Sequence, residues 1–275
     1  MGSLVTSTGS GLSVPDWPST YGQFMFSFPL SDMIGGIFYE HGHRLIASTV
    51  GLMTVILAIS TWILEKRRWV KFLALAALLA VILQGLLGGL TVLYFLPTPI
   101  SVLHAVLGQT FFVLTILLAY SFSKERYFRE LDVIDQRNPG LAKWAISGVA
   151  VIYIQLILGA LMRHTGSGLA IPDFPMMAGS YLPAFNDSML AWVNSWRFDM
   201  DLESVSMSQI YFHMIHRIGA VIVFAVLIGL FVKTWLTRKT FRKAKMAWVI
   251  LAFMLVQISL GIATVLSVKQ VSIAS

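Results

Sequence analysis

Glu40, His43 and Arg44 occur within the stretch E-H-G-H-R, at a spacing that sets all three on one face of a helix. A carboxylate placed there could relay protons, bind a cation, or offset positive charge developing on a substrate. The imidazole could ligate a metal, since neutral histidine is the usual axial ligand of haem iron. The pair His43–Arg44 recurs as His216–Arg217, 173 residues later, and a further histidine, His104, opens another apolar segment. Each of these histidines has a small residue four positions on (Ala47, Gly108 and Ala220), which would let a flat macrocycle approach the helix. Small residues also serve ordinary helix packing in membranes, so that spacing alone leaves both readings open. His41 and His213 are expected at the interface, closer to water, and His164 in a loop.

The elements that carry these residues are membrane spans. The chain of 275 residues is 57% hydrophobic and 12% charged, which belongs to a polytopic membrane protein and not to a soluble domain. Cysteine is absent, which excludes disulfides, thiolate metal sites and a cysteine nucleophile. Apolar runs over 35–64, 72–95, 100–122, 144–162, 210–232 and 246–268 are each long enough to span. Fifteen of the twenty lysines and arginines lie in the loops after the first, third and fifth runs. That side is expected to be cytoplasmic, so the basic charge reports topology and not nucleic-acid binding. All the histidines then fall near the outer face.

The chain is also duplicated. T-G-S-G-L-S-V-P-D-W-P from Thr8 returns as T-G-S-G-L-A-I-P-D-F-P from Thr165, an offset of 157 residues. L-Q-G-L-L-G-G-L-T-V-L from Leu83 matches V-Q-I-S-L-G-I-A-T-V-L from Val256 at an offset of 173, and Q-L-I-L-G at Gln155 is related to both. The second outer loop is therefore longer by 16 residues. The repeating unit holds four spans, so both copies point the same way, unlike inverted transporter repeats. The expected fold is an all-α integral membrane protein, with six visible transmembrane helices drawn from a duplicated pair of four-helix bundles. The repeat implies a helix before the first loop and another after the last span, and the sequence is expected to lack both. The expected division is 1–123, a cytoplasmic linker at 124–143, and 144–275.

The bland readings sit beside the chemical ones. Glu40 could simply pair with Arg44 and anchor the helix end. Against that, the position matching Glu40 is His213 while Arg217 is retained, which suggests that one bundle does chemistry and the other supports it. Arg44 and Arg217 could bind haem propionates bidentately, or snorkel to lipid phosphate. The duplicated loops are expected to lid a cofactor pocket, with glycines and Asp16 or Asp173 shaping the turns.

The combination V-T-S-T-G-S-G-L-S-V-P-D-W-P, E-H-G-H-R, L-H-A-V-L-G-Q at Leu103 and I-H-R-I-G-A at Ile215 resembles the haem A synthase family across nearly the whole chain. The resemblance implies eight helices in two bundles, with a histidine pair near the outer face of each. It implies that the N-terminal bundle handles haem O, through His43 and His104, and that the C-terminal bundle holds haem b, with His216 as a ligand. Glu40 maps onto the family's essential glutamate. The implied reaction is oxidation of a porphyrin methyl group to a formyl group, by successive hydroxylations, for terminal oxidases. Implied partners are haem O synthase, oxidase assembly proteins and an electron donor not identified by the sequence; the implied location is the bacterial plasma membrane. The chain would belong to the family's cysteine-free branch. A non-catalytic di-haem cytochrome would explain the histidines equally well, but not a glutamate in one bundle alone.

Overall fold

The computed structural model describes residues 1–124, 126, 139–237 and 241–267. Its helices are α1 (Gly2–Ser7), α2 (Gly36–Leu64), α3 (Arg68–Leu93), α4 (Thr98–Ser121), α5 (Pro139–His164), α6 (Asp187–Asp199), α7 (Met207–Leu236) and α8 (Phe241–Leu266). Among the described residues the only sheet-like pairings are two isolated bridges, Thr20–Gln23 and Met177–Ser180. Six helices, α2 to α5, α7 and α8, are long and apolar enough to cross a membrane. The chain is an all-α, multi-pass integral membrane protein.

All six expected spans form, and several run further than their apolar cores. α3 starts at Arg68, because Glu65 Oε1 accepts from the Lys66 and Arg67 amides and Glu65 pairs with the Arg67 guanidinium at 2.7 Å, closing the turn from α2. α4 starts at Thr98, with a proline in its first turn where no amide partner is needed. α7 starts at Met207 behind a capping box of Ser206 and Gln209. α5 starts at Pro139, so residues 139–143 of the expected linker are helical; most of the rest of that linker lies outside the described residues.

The helices fall into two compact units, α1 to α4 in the first and α5 to α8 in the second. In the first, α3 packs against both α2 and α4, which barely meet each other, and α1 rests on α2. Alanines at 74 and 77 let α3 approach α4, where they bury Leu118 together with Val70. In the second, α7 packs against both α5 and α8. Its loop end has a core of its own: Ala170 and Ile171 from the loop, Met189 and Val193 from α6, Val205, and Ile210 from α7.

The sequence reading missed α6. Asn186 caps it by accepting from the Met189 amide, and Met189, Val193 and Arg197 recur at helical spacing on its buried side. The Arg197 guanidinium donates to the carbonyls of Leu169, at 3.0 Å, and Glu203. Burial lowers its pKa and the nearby Glu203 opposes that shift. The extra residues of the second loop include this helix, which presents Met189 and Val193 to the loop-end core.

Candidate functional site

The two duplicated loops have the same backbone. Gly9 and Gly166 are both at φ +67°, Gly22 and Gly179 both at +76°, and Tyr21 and Ala178 at +50° and +53°. Asp16 accepts from the amides of Tyr21 (2.8 Å) and Gly22 (2.9 Å), and Asp173 from those of Ala178 and Gly179 (both 2.8 Å). Burial by itself would raise the Asp16 carboxyl; the bonds from Gly22, Ser19 and Tyr21 outweigh it and hold the group below its ordinary value.

An arginine then ties each loop to a helix. Arg44 Nη1 donates to the carbonyls of Asp16 (2.7 Å) and Ser19 (3.1 Å), and its Nη2 to that of Val14 (2.8 Å). Arg217 makes the matching bonds, to Met176 (3.2 Å), Ile171 (3.1 Å) and Asp173 (2.7 Å). The terminal nitrogens expected to meet haem propionates are thus engaged with loop carbonyls in both units.

What stands beside the arginine differs. In the first unit Glu40 Oε1 accepts from Arg44 Nη2 at 2.6 Å and its Oε2 accepts from the Val14 amide at 2.8 Å. In the second, His213 Nε2 accepts from Arg217 Nε at 3.0 Å. Its Nδ1 faces both the Ile171 amide, at 3.3 Å, and the Ser167 carbonyl, at 3.0 Å, so the Ile171 amide takes the place that the Val14 amide has in the first unit. A structural partner for the arginine therefore does not have to be a carboxylate, since a histidine serves Arg217 in the second unit. The difference that remains is the carboxylate itself. Glu40 is 3% exposed and is the only carboxylate among the described residues in the buried class.

His41 and His213 are not closer to water, as expected from sequence, but 1% and 2% exposed. His41 Nδ1 pairs with Thr20 Oγ1 at 3.0 Å, and the ring packs on Phe28. The positions matching His41 and Thr20 in the second unit are Met214 and Met177, which pack on its apolar core. The first loop end is polar where the second is apolar. His164, expected in a loop, is the last residue of α5.

The three candidate ligands share a setting. An added Cβ on Gly2 of α1 would lie 3.5 Å from the ring of His43, one on Gly88 of α3 3.1 Å from that of His104, and one on Gly159 of α5 3.3 Å from that of His216. Each imidazole lies against a neighbouring glycine, so space for a flat ring depends on residues that lack a side chain. His43 and His104 are on α2 and α4, which meet mainly through α3. No group of three or more histidines and carboxylates forms a metal cluster among the described residues. Isolated imidazoles on separate apolar helices would suit a haem better than a bare ion. The small residue expected to make room beneath His104 has another neighbour: Gly108 admits the Gln84 amide, as Gly219 admits that of Gln155.

A family model described as cytochrome oxidase assembly protein (COX15-CtaA) matches residues 1–275. The chain belongs to this family. Among its relatives, a protein of Shouchella clausii named heme A synthase is 29% identical over 97% of this chain and 81% of its own length. One of Bacillus licheniformis with the same name is 30% identical over 97% and 80%, and one of Halalkalibacterium halodurans 27% over 99% and 84%. In this member of the cytochrome oxidase assembly protein family, the loops, the arginines that hold them and the ligand candidates gather at one end of each unit.

Proposed function

We propose that the chain is a haem A synthase, a membrane oxidoreductase that converts a methyl group of haem O to a formyl group for terminal oxidase assembly. The relatives' name supports the reaction, and one structural observation supports the division of labour. The two loop ends use matching hydrogen bonds, yet only the first has a buried carboxylate, Glu40, with the polar pair His41 and Thr20 beside it. Two sites that only carried electrons would not need that difference. The non-catalytic di-haem cytochrome gains nothing from these relatives.

In this reading residues 1–123 receive haem O at His43 and His104, residues 144–275 hold haem b with His216 as a ligand, and 124–143 link them. Bound haem supplies the redox chemistry for carbon–hydrogen oxidation that side chains lack. Glu40 supplies a buried anionic oxygen that takes up a proton or offsets positive charge at the oxidised carbon. Arg44 and Arg217 act through the loops, holding them over the two mouths and excluding water. The loop end faces outward from a bacterial plasma membrane, with the basic loops in the cytoplasm. Haem O synthase would supply the substrate, oxidase assembly proteins would receive the product, and a separate electron donor would serve the reaction.

The test is to express the full chain with a haem O synthase, purify it, and identify the extracted haems by chromatography and mass spectrometry. Haem A or a hydroxylated haem O is the expected product. Haem O and haem b alone, in protein that binds both, would refute the assignment.

A further inference from the structure

Two glutamines stand against candidate ligands in the same way, and nothing above gives them a task. Gln84 Nε2 lies 3.3 Å from His104 Nε2. Gln155 Nε2 lies 3.1 Å and 3.3 Å from the two ring nitrogens of His216 and donates to the His216 carbonyl at 3.0 Å. Each glutamine is four residues before the glycine on which the same imidazole rests, Gly88 and Gly159, so the sequence Q-x-x-x-G forms one cradle on α3 and another on α5. Room for each amide comes from a glycine on the histidine's own helix. A Cβ at Gly108 would sit 3.1 Å from Gln84 Nε2, and one at Gly219 2.1 Å from Gln155 Oε1. The other half of each amide is idle: Gln84 Oε1 and Gln155 Oε1 are both buried and accept no hydrogen bond.

A buried amide oxygen without a donor is unusual, and it calls for an explanation. A neutral imidazole that gives one ring nitrogen to a metal keeps its proton on the other, and that N–H is normally held by an acceptor that fixes the ring and raises its basicity. We propose that Gln84 and Gln155 are positioning residues for haem ligation by His104 and His216: each amide turns over, Gln155 giving up its bond to the His216 carbonyl, so that its oxygen accepts the ring N–H left when the other nitrogen binds iron. This rests on the haem-binding reading above. A glutamine that merely filled space between helices would have no reason to recur with its oxygen unmet and a glycine cleared for it.

The test compares the purified full chain with Gln84→Met and Gln155→Met, which keep volume and remove the acceptor, and Gln84→Glu and Gln155→Glu, which keep a stronger one. Haem affinity is read from Soret titration, with haem O for the Gln84 variants and haem b for the Gln155 variants, and the midpoint potential from a spectroscopic redox titration at pH 8. The methionine variants are expected to bind haem about 10- to 100-fold more weakly and at a higher potential, because the ligand loses basicity. The glutamate variants are expected to retain haem at a potential below that of wild type. Methionine variants with wild-type affinity and potential overturn the proposal, and so do glutamate variants whose potential fails to fall. Should the methionine variants not fold, the glutamate potentials decide alone. Wild-type protein that takes up no haem would sink the functional reading together with this one; haem-replete wild type with indifferent variants would sink only this one.

Discussion

The Glu40 carboxylate bonds to Arg44 through Oε1 and to the Val14 amide through Oε2, so truncating it disturbs the loop whatever else it does. A buried ion pair broken on one side costs about 3–5 kcal/mol, enough to confuse a test of chemistry with a loss of fold. Asp16 offers a cleaner probe of the loop itself. Its folded pKa lies below the ordinary value of 3.8, so its contribution is complete above that value and is lost as pH falls through the lowered one. Hydrogen exchange at the Tyr21 and Gly22 amides, corrected for intrinsic rates, is expected to accelerate below about pH 4 in wild type. In Asp16→Asn it should be fast throughout and free of that step; an unchanged step would mean that another group controls the loop. At this scale the sequence was partly legible. Residue type and repetition single out Glu40, His43, His104 and His216 as candidates, because ionisable groups in apolar segments are costly and so stand out. Repetition could not show that Arg44 and Arg217 point at carbonyls, since a backbone acceptor leaves no mark on residue identity. It also misjudged His41 and His213, whose burial depends on loops folded down over them.

Helices and loops meet through close approaches at particular positions. A Cβ on Gly89 of α3 would fall 2.5 Å to 2.8 Å from three atoms of the Trp17 indole, so the duplicated loop is seated directly on that helix. Gly89→Ala is expected to push Trp17 away and to lower stability by about 1–3 kcal/mol, as overpacking does. Thermal unfolding of the purified protein checks this, and in a Trp17→Ala background the cost should vanish. A cost that persists without the indole would place the strain elsewhere. The six spans were legible because apolar length alone defines them. Their starts were not, since polar first turns at Arg68, Thr98 and Met207 are stabilised by turns, caps and a proline that a hydropathy window ignores. α6 escaped for a related reason: its buried face is short, and it ends on an arginine that reads as solvent-exposed until Leu169 and Glu203 are seen to accept from it.

Across the whole molecule, one loop-end framework is used twice and its polar contents are changed at three matching positions: Glu40 for His213, His41 for Met214, and Thr20 for Met177. The duplication was visible in sequence, and so was the Glu40 exchange; the linked Thr20 and His41 exchange was not, because the two residues are 21 apart and pair only in the folded unit. The second unit also shows how to remove the carboxylate while leaving the arginine a partner. Glu40→His gives Arg44 the acceptor that His213 gives Arg217, so the loop has a route to stay closed without an anion beneath it. The decisive measurement is the haem content and product of this variant beside wild type, both expressed with haem O available. Wild-type haem loading with haem O left unconverted is the expected result. Haem A formed at the wild-type level by Glu40→His would contradict it and leave Glu40 as no more than a partner for Arg44.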